Sequence, residues 1–277
     1  MTTATVNKLE LDWPVVIYLI IIHTGALFVL LPSNFTWWGV ATALFLHWVT
    51  GGLGITLGFH RLITHRSFQT PKWLEYFFGF CGALACQGGI IDWVGLHRQH
   101  HQFSDQPLDP HDSNRGFWWS HIGWMCFKNP DPEGIRRYTR DLNDDPVYEF
   151  FDRYFIPMQV VLGLVLFLLG GWPLVVWGVF FRLVFVFHCT WLVNSATHLF
   201  GYKSHESHDR STNCWWVALL TYGEGWHNNH HAYQYSARHG LAWWEVDMTW
   251  MTIQLLQTLG LATKVRLPNF ATSEAEA

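Results

Sequence analysis

Residues 36–58 carry no formal charge. At about 1.5 Å per residue, a helix of that length crosses a hydrocarbon core of roughly 30 Å. Lipid offers the backbone no hydrogen bonds, so such a run must satisfy its own amides, and helix follows. Other apolar runs repeat the signal. Residues 15–31 follow one lysine and two acids and lack a small-residue cleavage site, which predicts a retained helix rather than a signal peptide. Residues 155–169 and 174–198 are joined by the tight link "GGWP" and read as a transmembrane hairpin. The run over 73–91 is interrupted by Glu75, Gln87 and the Gly88-Gly89 pair, and is expected to lie in the interface or re-enter.

The predicted fold is therefore an all-α integral membrane protein with four transmembrane helices, an interfacial helix and a helical cap built from residues 59–153 and 199–265. The chain reads as one domain over 1–277, with no repeat or linker, and residues 271–277 are expected to be a disordered tail. Orientation follows from lysine and arginine, which collect in cytoplasmic loops. Neither "PSNF" nor "GGWP" contains one, so these turns are placed outside and the cap on the cytoplasmic side. Arg182 is the exception, a charge inside the last span that calls for a partner. A net charge of −4 gives no argument for nucleic acid, and the five cysteines contain no C-x-x-C pair that would suggest an iron–sulfur or disulfide framework. No G-x-G-x-x-G or P-loop occurs, since "GGLGITLG" has the wrong spacing and lies in a span.

The chain holds 17 histidines, and many fall in three clusters on the predicted cap side: "HRLITH" (60–65), "HRQHH" (97–101) and "HNNHH" (227–231). In the second and third, the i, i+3, i+4 spacing sets three imidazoles on one helical face. In the first, positions i and i+5 diverge by about 140° on a regular helix, so the chain is expected to unwind between His60 and His65. A single histidine on an apolar face is ordinarily a hydrogen-bonded core residue. Eight in spaced clusters would repel one another if protonated, whereas neutral imidazoles around a cation would not. Their number suggests two ions, and imidazole suits zinc, copper and iron alike. In "NSATH", the i, i+4 pair Asn194 and His198 ends the last span and makes His198 a candidate ninth ligand.

"HRLITH", "HRQHHQFSDQPLDPH", "NSATHLFG" and "GEGWHNNHH", in this order and with this membrane pattern, resemble the membrane-bound fatty acyl desaturases, and among them the short cyanobacterial and plastid-type Δ9 acyl-lipid desaturases. The resemblance covers residues 15–250. It implies a diiron centre with His60, His65, His97, His100, His101, His198, His227, His230 and His231 as ligands, and Asn194 as second-sphere holder of a metal-bound water. Asp105, Asp109, Asp112 and Glu224 are candidate carboxylate partners of the ligands, Glu224 foremost. Gln87, Trp93 and Thr190 match the residues that bend the acyl tunnel. His111 and His121 are expected to serve structural hydrogen bonds, His205, His208 and His239 to lie at the surface or in the cap, and His23, His47 and His188 to pack within spans.

The activity implied is oxygen-dependent removal of two hydrogens from adjacent methylenes, giving a cis double bond at Δ9, with O2 as co-substrate and two electrons from a separate donor. Ferredoxin is the donor implied, ahead of cytochrome b5. Where the animal acyl-CoA enzymes carry an arginine-aspartate pair before the second box, this chain has Gly95 and Leu96. Losing those charges disfavours a CoA polyanion and favours a chain esterified in a membrane glycerolipid. The setting implied is a cyanobacterial-type plasma or thylakoid membrane. Rival readings are a histidine-box hydroxylase, an acyl-CoA desaturase and, from another class, a metal transporter, which would need ligands near midmembrane.

Overall fold

The computed structural model describes residues 9–129 and 132–269, and the tail at 271–277 lies outside them. Among the described residues there is no β-strand, only isolated bridges between helices. Helix α1 (Trp13–Ala26) starts at Asp12, with proline in its first turn, and a tight turn through Pro32–Asn34 leads into α2 (Trp37–His47). The chain then continues without a break as a π-helix over Trp48–Thr64. Here the structure departs from the expected unwinding between His60 and His65. The His65 N–H donates to the His60 carbonyl at 3.1 Å, a bond spanning five residues. The helix has widened rather than opened, and widening stacks residue i+5 over residue i.

Glycine lets this wide helix lie against α3 (Lys72–Ala83). A Cβ at Gly54 would stand 2.4 Å from the Gly82 nitrogen and 2.6 Å from the Cys81 carbonyl oxygen, so the two backbones touch there. At 12 residues α3 reaches only about 18 Å, short of the hydrocarbon thickness. It is followed by α4 (Ile90–Phe103) and the short helices α5 (Phe117–His121) and α6 (Pro132–Arg136). The core between the π-helix, α3, α4 and the start of the long helix at Pro146–Val175 holds Phe59, Leu62, Phe78, Ile90 and Tyr148.

Helix α7 (Pro146–Val175) is capped by Asp145 and broken at Gly170 and Gly171, the latter at φ +69°. Beyond the break the chain packs back on itself, with Leu166 against Gly178 and Val179 against Gly163. A π-turn over Val176–Phe181 leads into α8 (Arg182–Ser195), which ends in the tight turn Ala196–His198. Three helical stretches are long and apolar enough to cross a membrane, Trp13–Leu30, Trp37–Thr64 and Pro146–His198, and the third contains the glycine break. Their outer faces expose Ile17, Ile20, Leu44, Val161, Leu164 and Leu168, while Trp13, Trp37, Trp38 and Trp172 are exposed near helix ends. Apolar faces with tryptophan at their limits are what lipid and its interface select.

The buried Arg182 has its partners. It donates to the Leu84 carbonyl at 2.7 Å, to Gln159 Oε1 at 2.7 Å and to the Gly178 carbonyl at 3.0 Å. The charge thus faces the bundle interior and fastens the C-terminal end of α3 to α7 and α8. A chain of imidazoles links α1 to α8 and α5: His23 lies 3.2 Å from His188, His188 3.0 Å from His121, and His121 2.9 Å from the Ser195 hydroxyl. These are the packing and hydrogen-bonding roles expected of those three.

Short helices α9 (Trp215–Leu220), α10 (His227–Ala232) and α11 (Met248–Thr258) complete the fold. After α11 the chain returns to the first histidine cluster. Gln69 and Thr263 exchange two backbone bonds of 2.8 Å, and the Arg266 N–H donates to the Ser67 carbonyl at 2.8 Å.

Replacing Gly54 by valine should force α3 off the π-helix. Overpacking of this kind costs about 1–3 kcal/mol, expected as a lower melting temperature of the detergent-purified chain, whereas a control at an exposed side chain such as Gln257→Ala should leave it nearly unchanged.

Candidate metal centre

The widened helix delivers the first two imidazoles, His60 from its last turn and His65 from its C-cap. Helix α4 contributes His97, His100 and His101 from one face, the turn after α8 contributes His198, and α10 contributes His227, His230 and His231. The structure brings all nine together in two adjoining groups. His60, His65, His97, His101 and His230 form one, and His100, His198, His227 and His231 the other, with the ligand atoms of each group within 4.8 Å of one another. The spacing i, i+3, i+4 explains the division: α4 and α10 face each other, so His97 and His101 meet His230, while His100 meets His227 and His231.

Across both groups the nitrogens that meet are Nε2. His60 lies 3.1 Å from His230, His65 3.2 Å from His97, His101 2.9 Å from His230, His198 3.2 Å from His227 and His100 3.4 Å from His231. Several of these rings hold their other nitrogen against a carboxylate. His100 Nδ1 is 3.0 Å from Asp109, His198 Nδ1 is 3.0 Å from Asp105, and His60 Nδ1 is 2.7 Å from Glu224. His231 Nδ1 bonds Asp209. A proton kept on Nδ1 leaves a bare Nε2 lone pair pointing inward, and lone pairs converging from several sides need a cation between them.

Burial pushes the imidazoles of His97, His101, His227 and His230 well below their usual range, and the neighbouring rings push further in the same direction. Burial also holds His231 down, to about 4, against the pull of Asp209. Burial pushes His100 down as well, but Asp109 with Asp105 and Asp209 lifts it above its usual range, and a bound cation would compete directly with that proton. Among the carboxylates burial acts upward, yet His198 holds Asp105, His100 holds Asp109 and Arg61 with His60 holds Glu224 below the usual range. Neutral imidazoles backed by ionised carboxylates make up a donor set that fits two metal ions.

Asp105, Asp109 and Glu224, predicted from sequence, each touch a ligand-type histidine. Asp112 does not, since it caps the turn at Asn114 through a 2.9 Å bond. His239, expected at the surface or in the cap, is 1% exposed, with Nδ1 3.0 Å from Glu224 and its ring 4.4 Å from that of His230. Asp209 was missed. It lies 22 positions before His231 in "SHDRS", with no helical spacing to mark it, and only the fold brings it in. Arg61 and Asp247 were missed as well. The guanidinium of Arg61 is wholly buried, donating to Glu224 at 3.0 Å, to Asp247 at 2.9 Å and to the Ala237 carbonyl at 2.8 Å.

A cavity with a mostly apolar lining leads from the imidazoles back along the membrane-length helices. His60, His97, His227, Glu224 and Asn194 line one part, and Trp93, Thr190, Ile55, Gly51 and His47 are also in its wall. Gln87 stands behind that wall. Its amide donates to Thr190 Oγ1 at 2.8 Å and accepts from the Trp93 indole at 3.4 Å, so the three predicted tunnel residues form one hydrogen-bonded unit. Trp93 also stacks on His97, with ring centroids 5.2 Å apart.

Membrane-length helices, buried histidine groups that fit a metal site and an apolar cavity beside them are the features of a membrane protein with a candidate metal centre. Residues 35–257 match the family model described as "Fatty acid desaturase", and the chain belongs to that family. It is thus an oxidoreductase. Among its relatives are the sn-1 stearoyl-lipid 9-desaturases of Anabaena variabilis, 66% identical over 96% of this chain and 98% of that protein, and of Synechocystis sp., 64% identical over 97% and 86%. The sn-2 palmitoyl-lipid 9-desaturase of Nostoc sp. is 51% identical over 94% and 92%.

Replacing Arg61 by leucine leaves Glu224 and Asp247 buried without their shared cation. Breaking such a pair costs about 3–5 kcal/mol, so the metal-stripped variant should melt well below the metal-stripped parent, with Arg61→Lys falling between them.

Proposed function

We propose that this chain is an acyl-lipid 9-desaturase that introduces a cis double bond at Δ9 of a stearoyl chain esterified at the sn-1 position of a membrane glycerolipid. The observation that carries the reading is the paired histidine centre at one part of an apolar cavity, in a chain about two-thirds identical to sn-1 stearoyl-lipid 9-desaturases. The metals are two irons, held by His60, His65, His97, His101 and His230 in one pocket and by His100, His198, His227 and His231 in the other. Asn194 in the cavity wall supports the second pocket.

Overall, –CH2–CH2– + O2 + 2 e⁻ + 2 H⁺ gives –CH=CH– + 2 H2O, and the bound irons supply the oxygen activation this requires. The protein's part is placement. Trp93, Gln87 and Thr190 shape the tunnel at the reacting carbons, so that the chain meets the centre already bent toward a cis geometry. Ile55, Val186 and Val193 give the cavity an apolar lining that excludes water. Glu224, Asp105, Asp109 and Asp209 keep the ligand protons on Nδ1 and the lone pairs inward. The two electrons come from a separate donor, ferredoxin in this reading.

We further propose four membrane crossings, counting the Pro146–His198 stretch as two on either side of Gly170–Gly171, with α3 in the interface and the histidine centre on the cytoplasmic side. The glycerolipid carrier has support at Gly95. A Cβ there would lie 2.4 Å from Ile135, so the position before the second box is packed against α6 and has no room for an arginine reaching toward a CoA phosphate.

Expression in a host with its own ferredoxin should yield new 18:1 Δ9 chains at sn-1 of membrane lipids by mass spectrometry, and His230→Ala should reduce them to background. Hydroxylated chains in place of a double bond would overturn the assignment. With purified enzyme and donor, stearoyl-glycerolipid should be consumed at least about tenfold faster than stearoyl-CoA, and the reverse order would overturn the carrier.

A further inference from the structure

The two histidine groups are surrounded very differently. In the four-histidine pocket, three of the four rings have a carboxylate on Nδ1: Asp109 on His100, Asp105 on His198 and Asp209 on His231. These acids are themselves pinned. Asp109 accepts from the Asp105 and His111 amides at 2.8 and 3.1 Å, Asp105 accepts from the Arg210 amide at 2.7 Å, and Asp209 accepts from the Ser211 amide at 3.0 Å. In the five-histidine pocket only His60 has such a partner, Glu224, and the buried Nδ1 atoms of His101 and His230 have no hydrogen-bond partner, as is true in the first pocket of His227 alone. Access differs in the same sense. All four rings of the first pocket are buried, whereas His65, His97 and His101 of the second are partly exposed.

We propose that the two metal positions are unequal: the four-histidine pocket fills first and holds its ion more tightly, and the five-histidine pocket is the one whose ion exchanges. The inference rests on the dimetal reading above and concerns only how this chain's residues divide their hold on the ions. Carboxylates behind imidazoles make the rings better donors, fix their orientation before the metal arrives and place negative charge near it. Loss of one such partner typically weakens metal binding about 10–100-fold. The fifth imidazole of the other pocket acts in the opposite direction, but it adds one neutral donor against two additional pinned anions. Partial exposure of that pocket also opens a path for exchange.

The test uses the full chain, purified in detergent without oxygen, loaded with ferrous iron and then challenged with excess chelator while metal per chain is followed by mass spectrometry. The expected result is release in two phases of about one equivalent each, at least about tenfold apart in rate. Asp209→Asn and Asp105→Asn should each speed the slow phase about 10–100-fold and leave the fast phase alone, while Glu224→Gln should act only on the fast phase. If Asp209→Asn yields no folded protein, Asp109→Asn serves in its place, with thermal melting as the check on folding. Release of both equivalents in a single phase overturns the inference while leaving the dimetal reading standing, and so does an effect of the aspartate variants confined to the fast phase. A parent chain that never holds two ions overturns the dimetal reading and this inference with it.

Discussion

Nine neutral imidazoles can share one buried volume only if their protons are kept outward and a positive charge is kept inward. That requirement organises the rest of the molecule. The outward half is met by Asp105 and Asp109 from one loop, Asp209 from a second and Glu224 from the turn before α10, each brought to a ring outside its own segment. Those carboxylates need partners in turn, so the wholly buried Arg61 sits between Glu224 and Asp247, and the loops around residues 105–113 and 207–211 are tied to each other through Asp105 and Arg210. The inward half fits a metal ion. A buried polar network is stabilising only when every member is satisfied, and a cation between the Nε2 lone pairs would complete this one.

The helices set this centre at a definite place along the chain's long axis. The π-helix carries His60 and His65 on from the uncharged run, and α8 carries His198 on from the last apolar run, so two apolar stretches end directly in ligand-type residues. The cavity follows the same helices back toward their apolar middle. Histidine centre and cavity are therefore two parts of one bundle rather than a domain added to an anchor. Arg182 contributes by joining the short α3 to that bundle, since α3 in turn supports the glycine face of the π-helix.

Much of this was legible in the sequence because it was written in local periods. The apolar runs, the i, i+3, i+4 histidines and the "GGWP" break each need only a few neighbouring residues to be read, and the structure places helices, paired histidine faces and a chain reversal there. The first box was harder. On a regular helix His60 and His65 diverge, and the glycines that let the helix widen show their purpose only when α3 lies against them. Asp209, Asp247 and His239 left no local mark, because their contacts span 22, 186 and 15 positions. Asp112 carried the right chemistry at a plausible place and served a turn instead. Spacing predicts which groups share a face of one helix, and it is silent about which loop returns to meet them.

The pairing of residues 67–69 with 263–266 bears on how such a protein is made. Synthesis proceeds from the N-terminus, and domains generally fold as units in that direction. The segment that holds the first histidine box in place is nevertheless made long after that box, and later than His227, His230 and His231. Helices can enter the bilayer one after another while translation continues, but the histidine groups cannot close until that later segment has been made, and until then the early histidines stand open to whatever ions the nascent chain meets.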